Sequence, residues 1–293
     1  MGQPRQLHRG GYFVVSRRVE HRGFRLRPGP ETNQILRYCL AHAAQKYGVR
    51  LFAFVAMGNH YHLVVQDTEE LMPKFLKLLN MLSAKALNYS HKTWGHLWEA
   101  EPPSMVQLPT LNDVVNQIAY AAANPVEAGL VRSPEHWPGA CHWLPGKQTV
   151  RRPAFFSAKM PLEMTLEFVQ PEESEESEQR WLVRVGAAVW ERVGAACERI
   201  RGAGRKFMGR KRVLGMSTEH CARSFERRRA LRPRFAAQDE EHRRECIRRH
   251  KAFQAAYREA LSAWKKGDRL VAFPQGTWWM RVHHGASVTA LIV

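Results

Sequence analysis

His60 and His62 stand one residue apart in the run "VAMGNHYHLVVQ", Val55 to Gln66. In an extended strand alternate side chains share a face, so both imidazoles lie on one side with Val64. Tyr61, Leu63 and Val65 point the other way, as an anchor to a core. Two imidazoles at this separation can be bridged by one metal ion. The same pattern suits two histidines on a wet sheet face, and the pair alone leaves both readings open. Further along, "YAAAN" sets Tyr120 and Asn124 four residues apart, on one face of a helix if the helix persists that far. Pro125 follows at once and disfavours helical geometry at Asn124. Two imidazoles with an amide oxygen make an N,N,O donor set with open positions, suited to Mg²⁺ or Mn²⁺ engaging a phosphate oxygen. Tyr120, one turn earlier, would be a phenol beside that metal.

A strand and a helix must hold these groups, and the chain supplies both. "GYFVVSRRV", Gly11 to Val19, has the content of a strand. Thr32 can cap a helix through "NQILRYCLAHAAQKY", where Ile35, Leu36, Cys39, Leu40 and Ala43 keep helical spacing. "RLFAFVAM" is a continuous apolar run suited to a central strand, and Gly58-Asn59 is a tight turn into "HYHLVVQ". A second helix starts near Pro73, with Phe75, Leu79, Leu82 and Ala86 inward. A short strand "SMVQL" precedes a third helix, where Thr110 and Asp113 resemble a capping box and Pro125 marks the end. The order predicts an α+β fold, a ferredoxin-like antiparallel sheet with helices on one face, followed by a mainly helical basic C-terminal region.

The balance of 45 Lys+Arg against 27 Asp+Glu, net charge +18, favours a polyanionic partner, with nucleic acid preferred over a membrane surface. No apolar run approaches the length of a membrane span, and the first residues lack the apolar middle of a signal peptide. Five cysteines without a CxxC pair argue for reduced thiols in a cytoplasmic protein, and a nucleic-acid partner would make it nucleoid-associated. Residues 163–178 carry the only acidic block, read as a linker over 151–180. From Arg199 to Arg234 arginine dominates. Arg205, Lys206, Arg210, Lys211, Arg212, Arg227, Arg228 and Arg229 are candidate phosphate contacts there. Phe207, Phe225 and Phe235 interleave with them, as stacking rings for unpaired bases or as the local core.

Several motifs in this order resemble the REP-associated tyrosine transposases, a branch of the single-tyrosine HUH transposases. They are "YFVVSRRVEHRGF", "FAFVAMGNHYHLVV", "GHLWEA" and "YAAANPVEAGLV". Of these, "FAFVAMGNHYHLVV" is similar to the family's Met-Pro-Asn-His-x-His-Leu signature, with Gly58 in place of proline. "FPQGTWWMR" is similar to the tail of a subset. "GHLWEAEPPSMVQL" departs from the family in lacking the basic residues usual after this Gly-His-Leu. The resemblance implies a catalytic domain over residues 1–150, and composition reads residues 181–293 as a basic, mostly helical accessory DNA-binding region. The resemblance also implies that His60, His62 and Asn124 bind the metal and that Tyr120 is the nucleophile. The expected activity is nicking and rejoining of single-stranded or hairpin DNA through a 5′-phosphotyrosine intermediate, with Mg²⁺ or Mn²⁺. Lys85 is a candidate to help ionise the phenol and to contact DNA, and Tyr89 is the rival nucleophile. The competing readings are a metal-hydroxide nuclease and a DNA-binding protein derived from a transposase that no longer cuts.

Overall fold

A computed structural model describes residues 4–222 and 233–289. Its centre is a five-stranded antiparallel sheet in the order β4-β1-β3-β2-β5. The strands are β1 (Gly11–Arg18), β2 (Arg50–Ala56), β3 (His60–Asp67), β4 (Ser104–Leu108) and β5 (Cys141–His142). The apolar run of β2 is buried on both faces, as its composition requires of a strand inside the sheet. Strict alternation along β3 sends Tyr61, Leu63 and Val65 into one core and Val64 into another.

Helices therefore cover both faces. α1 (Pro30–Tyr47) and α2 (Met72–Ser90) lie against the Tyr61 side, as expected for a ferredoxin-like sheet. α3 (Leu111–Glu127) lies across the opposite side, packing Val114, Val115, Ile118 and Ala122 on Val14, Phe52, Val55 and Val64. The α+β class and the antiparallel sheet are as expected. The placement of helices on one face holds for the first two and not for the third. The reason is visible in β2 and β3, whose histidine side carries too much apolar surface to be left in water.

Two local expectations are also corrected. Thr32 does not cap α1: the helix starts at Pro30, whose fixed φ suits the first helical position, and Gly29 takes the N-cap. Pro125 does not end α3, which runs on to Glu127 with Ala128 N–H donating to the Asn124 carbonyl at 2.9 Å. A proline in the last turn loses only one amide donor, and the Thr110–Asp113 capping box secures the other end.

The acidic stretch holds more than a linker. β6 (Gly146–Arg151) pairs with β7 (Glu163–Phe168), and Met164, Leu166 and Phe168 are buried in the α1 core. After it, α4 (Glu178–Gly202) presents Trp181, Val185, Val189, Val193 and Ala196 to α3 and completes the second core. The α3 run Ala121–Ala123 is wholly buried, and such small side chains leave room for close approach. α5 (Arg210–Leu214), α6 (Glu240–Lys265) and α7 (Trp279–His284) follow. Residues 234–236 run beside the β4 edge through Gln107, and Gln238 N–H donates to the buried Asp113 carboxylate at 2.9 Å. Leu7 N–H donates to Gly276 O at 3.0 Å, which fastens the C-terminal segment to the N-terminal one. The expected divisions near 150 and 180 are thus crossed by shared cores and backbone hydrogen bonds. Among the described residues no helix is long and apolar enough to cross a membrane.

Candidate active site

The register of the sheet places Ser16 directly opposite His62, and Arg18 opposite His60. Ser16 Oγ lies 2.9 Å from His62 Nδ1. Asn59 Oδ1 lies 2.7 Å from His60 Nδ1. An amide oxygen only accepts, so that ring nitrogen carries the proton. His60 Nε2 then presents its lone pair, and it stands 3.1 Å from His62 Nε2. Burial against α3 leaves His62 only 7% exposed. That burial lowers its pKa to about 3, with the nearby His60 and Arg18 adding to the effect. Both side chains therefore turn their Nε2 atoms to one point while neighbours hold their Nδ1 atoms. Metal-ligating histidines are commonly held in this way. Two ligands at about 2.1 Å from one ion stand roughly 3 Å apart when at right angles, so the pair fits a divalent cation. Among the described residues no group of three or more His, Cys, Asp or Glu side chains could hold a metal ion. A metal centre here would need its further donors from an amide, water or a substrate phosphate, a set that suits a hard cation.

α3 brings the phenol. The Tyr120 ring meets the His62 ring edge to face, with centroids 5.2 Å apart. Because the helix persists past Pro125, Asn124 shares Tyr120's face one turn on, close enough to favour the phenolate. Across the ring lies the Arg192 guanidinium, 5.7 Å from the centroid. That is within reach of the ring's attraction for a cation. Arg192 comes from α4 and is tied to Glu127 of α3 at 3.5 Å. Burial, with Glu127 beside it, raises the Tyr120 pKa. Arg192, Asn124 and Arg18 pull it back. A half-buried phenol flanked by an imidazole pair and two arginines has the chemistry to bind and attack a phosphate diester.

No protein-family description and no curated protein matches the chain. Among solved structures, one of a REP-associated tyrosine transposase bound to a REP hairpin superposes with a TM-score of 0.40 at 17% identity. That match covers 47% of this chain and 81% of the other. A candidate transposase from Deinococcus radiodurans R1 superposes with a TM-score of 0.29 at 21% identity, covering 36% and 85%. The chain is similar to these transposases over part of its length. The site itself stands on the side-chain geometry given above.

Of the residues expected at a transposase-type site, His60, His62 and Tyr120 come together, and Asn124 reaches Tyr120. Lys85 does not join them. It is exposed on α2, whose packing is against the other face of the sheet. Tyr89 is 68% exposed at the end of the same helix and packs on Phe155 at 4.8 Å. Arg205, Lys206, Arg210, Lys211 and Arg212 are all exposed around α5, open to a polyanion. Phe207 packs on the α3 core under Arg132, and Phe235 meets the His250 ring edge to face. Phe225, Arg227, Arg228 and Arg229 lie outside the described residues. Sequence reasoning misses Ser16 and Arg192. Ser16 is readable in principle from pairing β1 with β3. Arg192 is not, because its place follows only from α4 docking on α3.

Proposed function

We propose that this protein nicks and rejoins single-stranded DNA by covalent attack of Tyr120, in the manner of a single-tyrosine transposase. The observation that carries this reading is the Tyr120 ring lying against His62, one member of an imidazole pair whose Nε2 atoms are 3.1 Å apart. A divalent cation held by His60 and His62, with Asn124 as a further oxygen donor, would polarise the scissile phosphate and offset charge in the transition state. Tyr120 Oη attacks phosphorus, the phosphotyrosine bond forms and the bond to the 3′ oxygen breaks. The phenol gives up its proton and the leaving oxygen takes one. The 3′-hydroxyl later attacks the same phosphorus and releases Tyr120, so the bond energy is conserved.

The chain's own residues prepare this step. Arg192, Asn124 and Arg18 favour the phenolate over the phenol. The arginines around α5, with a net charge of +18 behind them, hold the strand by its phosphates without reading bases.

The test is incubation with labelled hairpin DNA from sequences flanking the gene, with Mn²⁺, followed by denaturing gels. A covalent adduct in wild type and none in Tyr120→Phe is the expected outcome. An adduct that persists in the variant removes Tyr120 as nucleophile. Cleavage without an adduct points to a metal-hydroxide nuclease, and binding without cleavage to a DNA-binding protein.

A further inference from the structure

Trp94 is the most exposed large apolar side chain of the described residues, 95% accessible at the tip of the turn after α2. A lone exposed apolar residue is ordinary. This one sits on a turn that is tied down on both sides. Before it, Thr93 N–H donates to Asn88 O at 2.9 Å, and Thr93 Oγ1 accepts from Arg25 at 2.8 Å. After it, the Asn88 amide donates to Gly95 O at 2.8 Å, and Arg25 donates to His96 O at 2.8 Å. Arg25 also donates to the Asn88 side chain, which joins the two clamps. Lys92 at φ 53° and Gly95 at φ 88° take up left-handed backbone. Glycine adopts that region without steric cost, and the turn closes there. A mobile loop could fold an indole back onto the surface, but this turn holds it in water.

The surroundings say what would cover it. Residues 88–98 contain no acid, and His91, Lys92 and His96 flank the indole. The turn also stands at the sheet end that carries the histidine pair. Leu97 O accepts from Glu20 N–H at 2.9 Å, and Glu99 N–H donates to Arg18 O at 3.1 Å. Arg18 is the cross-strand partner of His60.

We propose that Trp94 is a fixed stacking platform for an unpaired base of the strand that reaches Tyr120. This rests on the reading of single-stranded DNA as partner and adds where one base is held. An indole face takes any base, so the platform supplies affinity and position without sequence readout. The exposed Lys92 beside the indole favours an adjoining phosphate.

The experiment is fluorescence anisotropy of a labelled, mixed-sequence single strand with the full chain, for wild type, Trp94→Ala and Trp94→Phe. Trp94→Ala should bind roughly 5- to 100-fold more weakly, and Trp94→Phe should keep most of the affinity. The slope of log affinity against log salt should not change, since no phosphate contact is lost. One abasic nucleotide, moved along the strand, should erase the difference between wild type and Trp94→Ala at one position. Equal binding by wild type and Trp94→Ala overturns the platform and leaves the Tyr120 reading intact. So does a Trp94→Ala effect confined to self-association in sedimentation, which would make the indole a contact between copies. A wild type that binds no single strand overturns the partner itself, and the platform falls with it.

Discussion

Two tyrosines on opposite faces of the sheet share a plan and differ in what surrounds it. Tyr61 on β3 is fully buried, and its hydroxyl donates to Asn80 Oδ1 of α2 at 3.0 Å. Tyr120 on α3 is half-buried, with Asn124 one turn on along the same helix face. Burial raises the pKa of both. Around Tyr61 lie Phe54 and Trp98, and the phenol anchors a core. Around Tyr120 lie His62 and Arg192, and a neighbouring imidazole turns its Nε2 to the same space. A buried tyrosine with an asparagine partner is thus a structural device by default. Cations and metal donors beside it make the other one a candidate nucleophile.

The comparison breaks most sharply at the two hydroxyls. Tyr120→Phe should abolish the covalent adduct on denaturing gels, with the melting temperature nearly unchanged. An adduct of normal yield in that variant would put the two tyrosines on the same footing. His60→Ala or His62→Ala should remove Mn²⁺ binding seen by titration calorimetry. Ser16→Ala, which takes the hydroxyl partner from His62 Nδ1, should weaken that binding about 10- to 100-fold. Unchanged Mn²⁺ affinity in all three would return the pair to the status of packed imidazoles.

The second core can be tested through α4. Trp181→Ala should cost about 3–5 kcal/mol in denaturant unfolding, since Trp181 is wholly buried among the α3 contacts. A loss near zero would mean that α4 is an appendage and not part of the fold. Arg192→Gln removes the cation from the Tyr120 ring, and adduct formation should fall on the order of tenfold with Mn²⁺ affinity retained. At the small end, Tyr61→Phe should form the adduct normally and lose about 1 kcal/mol of stability, the worth of one buried hydrogen bond.

Much of this is legible in the amino-acid order alone. Strand alternation puts His60 and His62 on one side and Tyr61 on the other, because the period of two in a strand leaves no freedom. The capping box at Thr110 and Asp113, and the strand of residues 104–108, follow from local chemistry that tertiary contacts do not override. Local rules fail where packing decides. Pro125 reads as a stop, yet a helix held by its cap and by two apolar layers carries a proline in its last turn. The acidic block reads as solvated because its glutamates dominate the composition. The alternate residues Met164, Leu166 and Phe168 nonetheless find a core on α1.

By itself, then, the amino-acid order determined the donor types, their spacing along one strand and one helix, and the excess of positive charge. Only the tertiary structure decided that α3 crosses the histidine face, that α4 seals it, and that Arg192 and Ser16 complete the surroundings of Tyr120 and His62. The reason is one of range. Periodicity and capping act over a few residues. The meeting of positions 16, 62, 120 and 192 depends on which apolar surfaces bury one another, and no local pattern contains that choice.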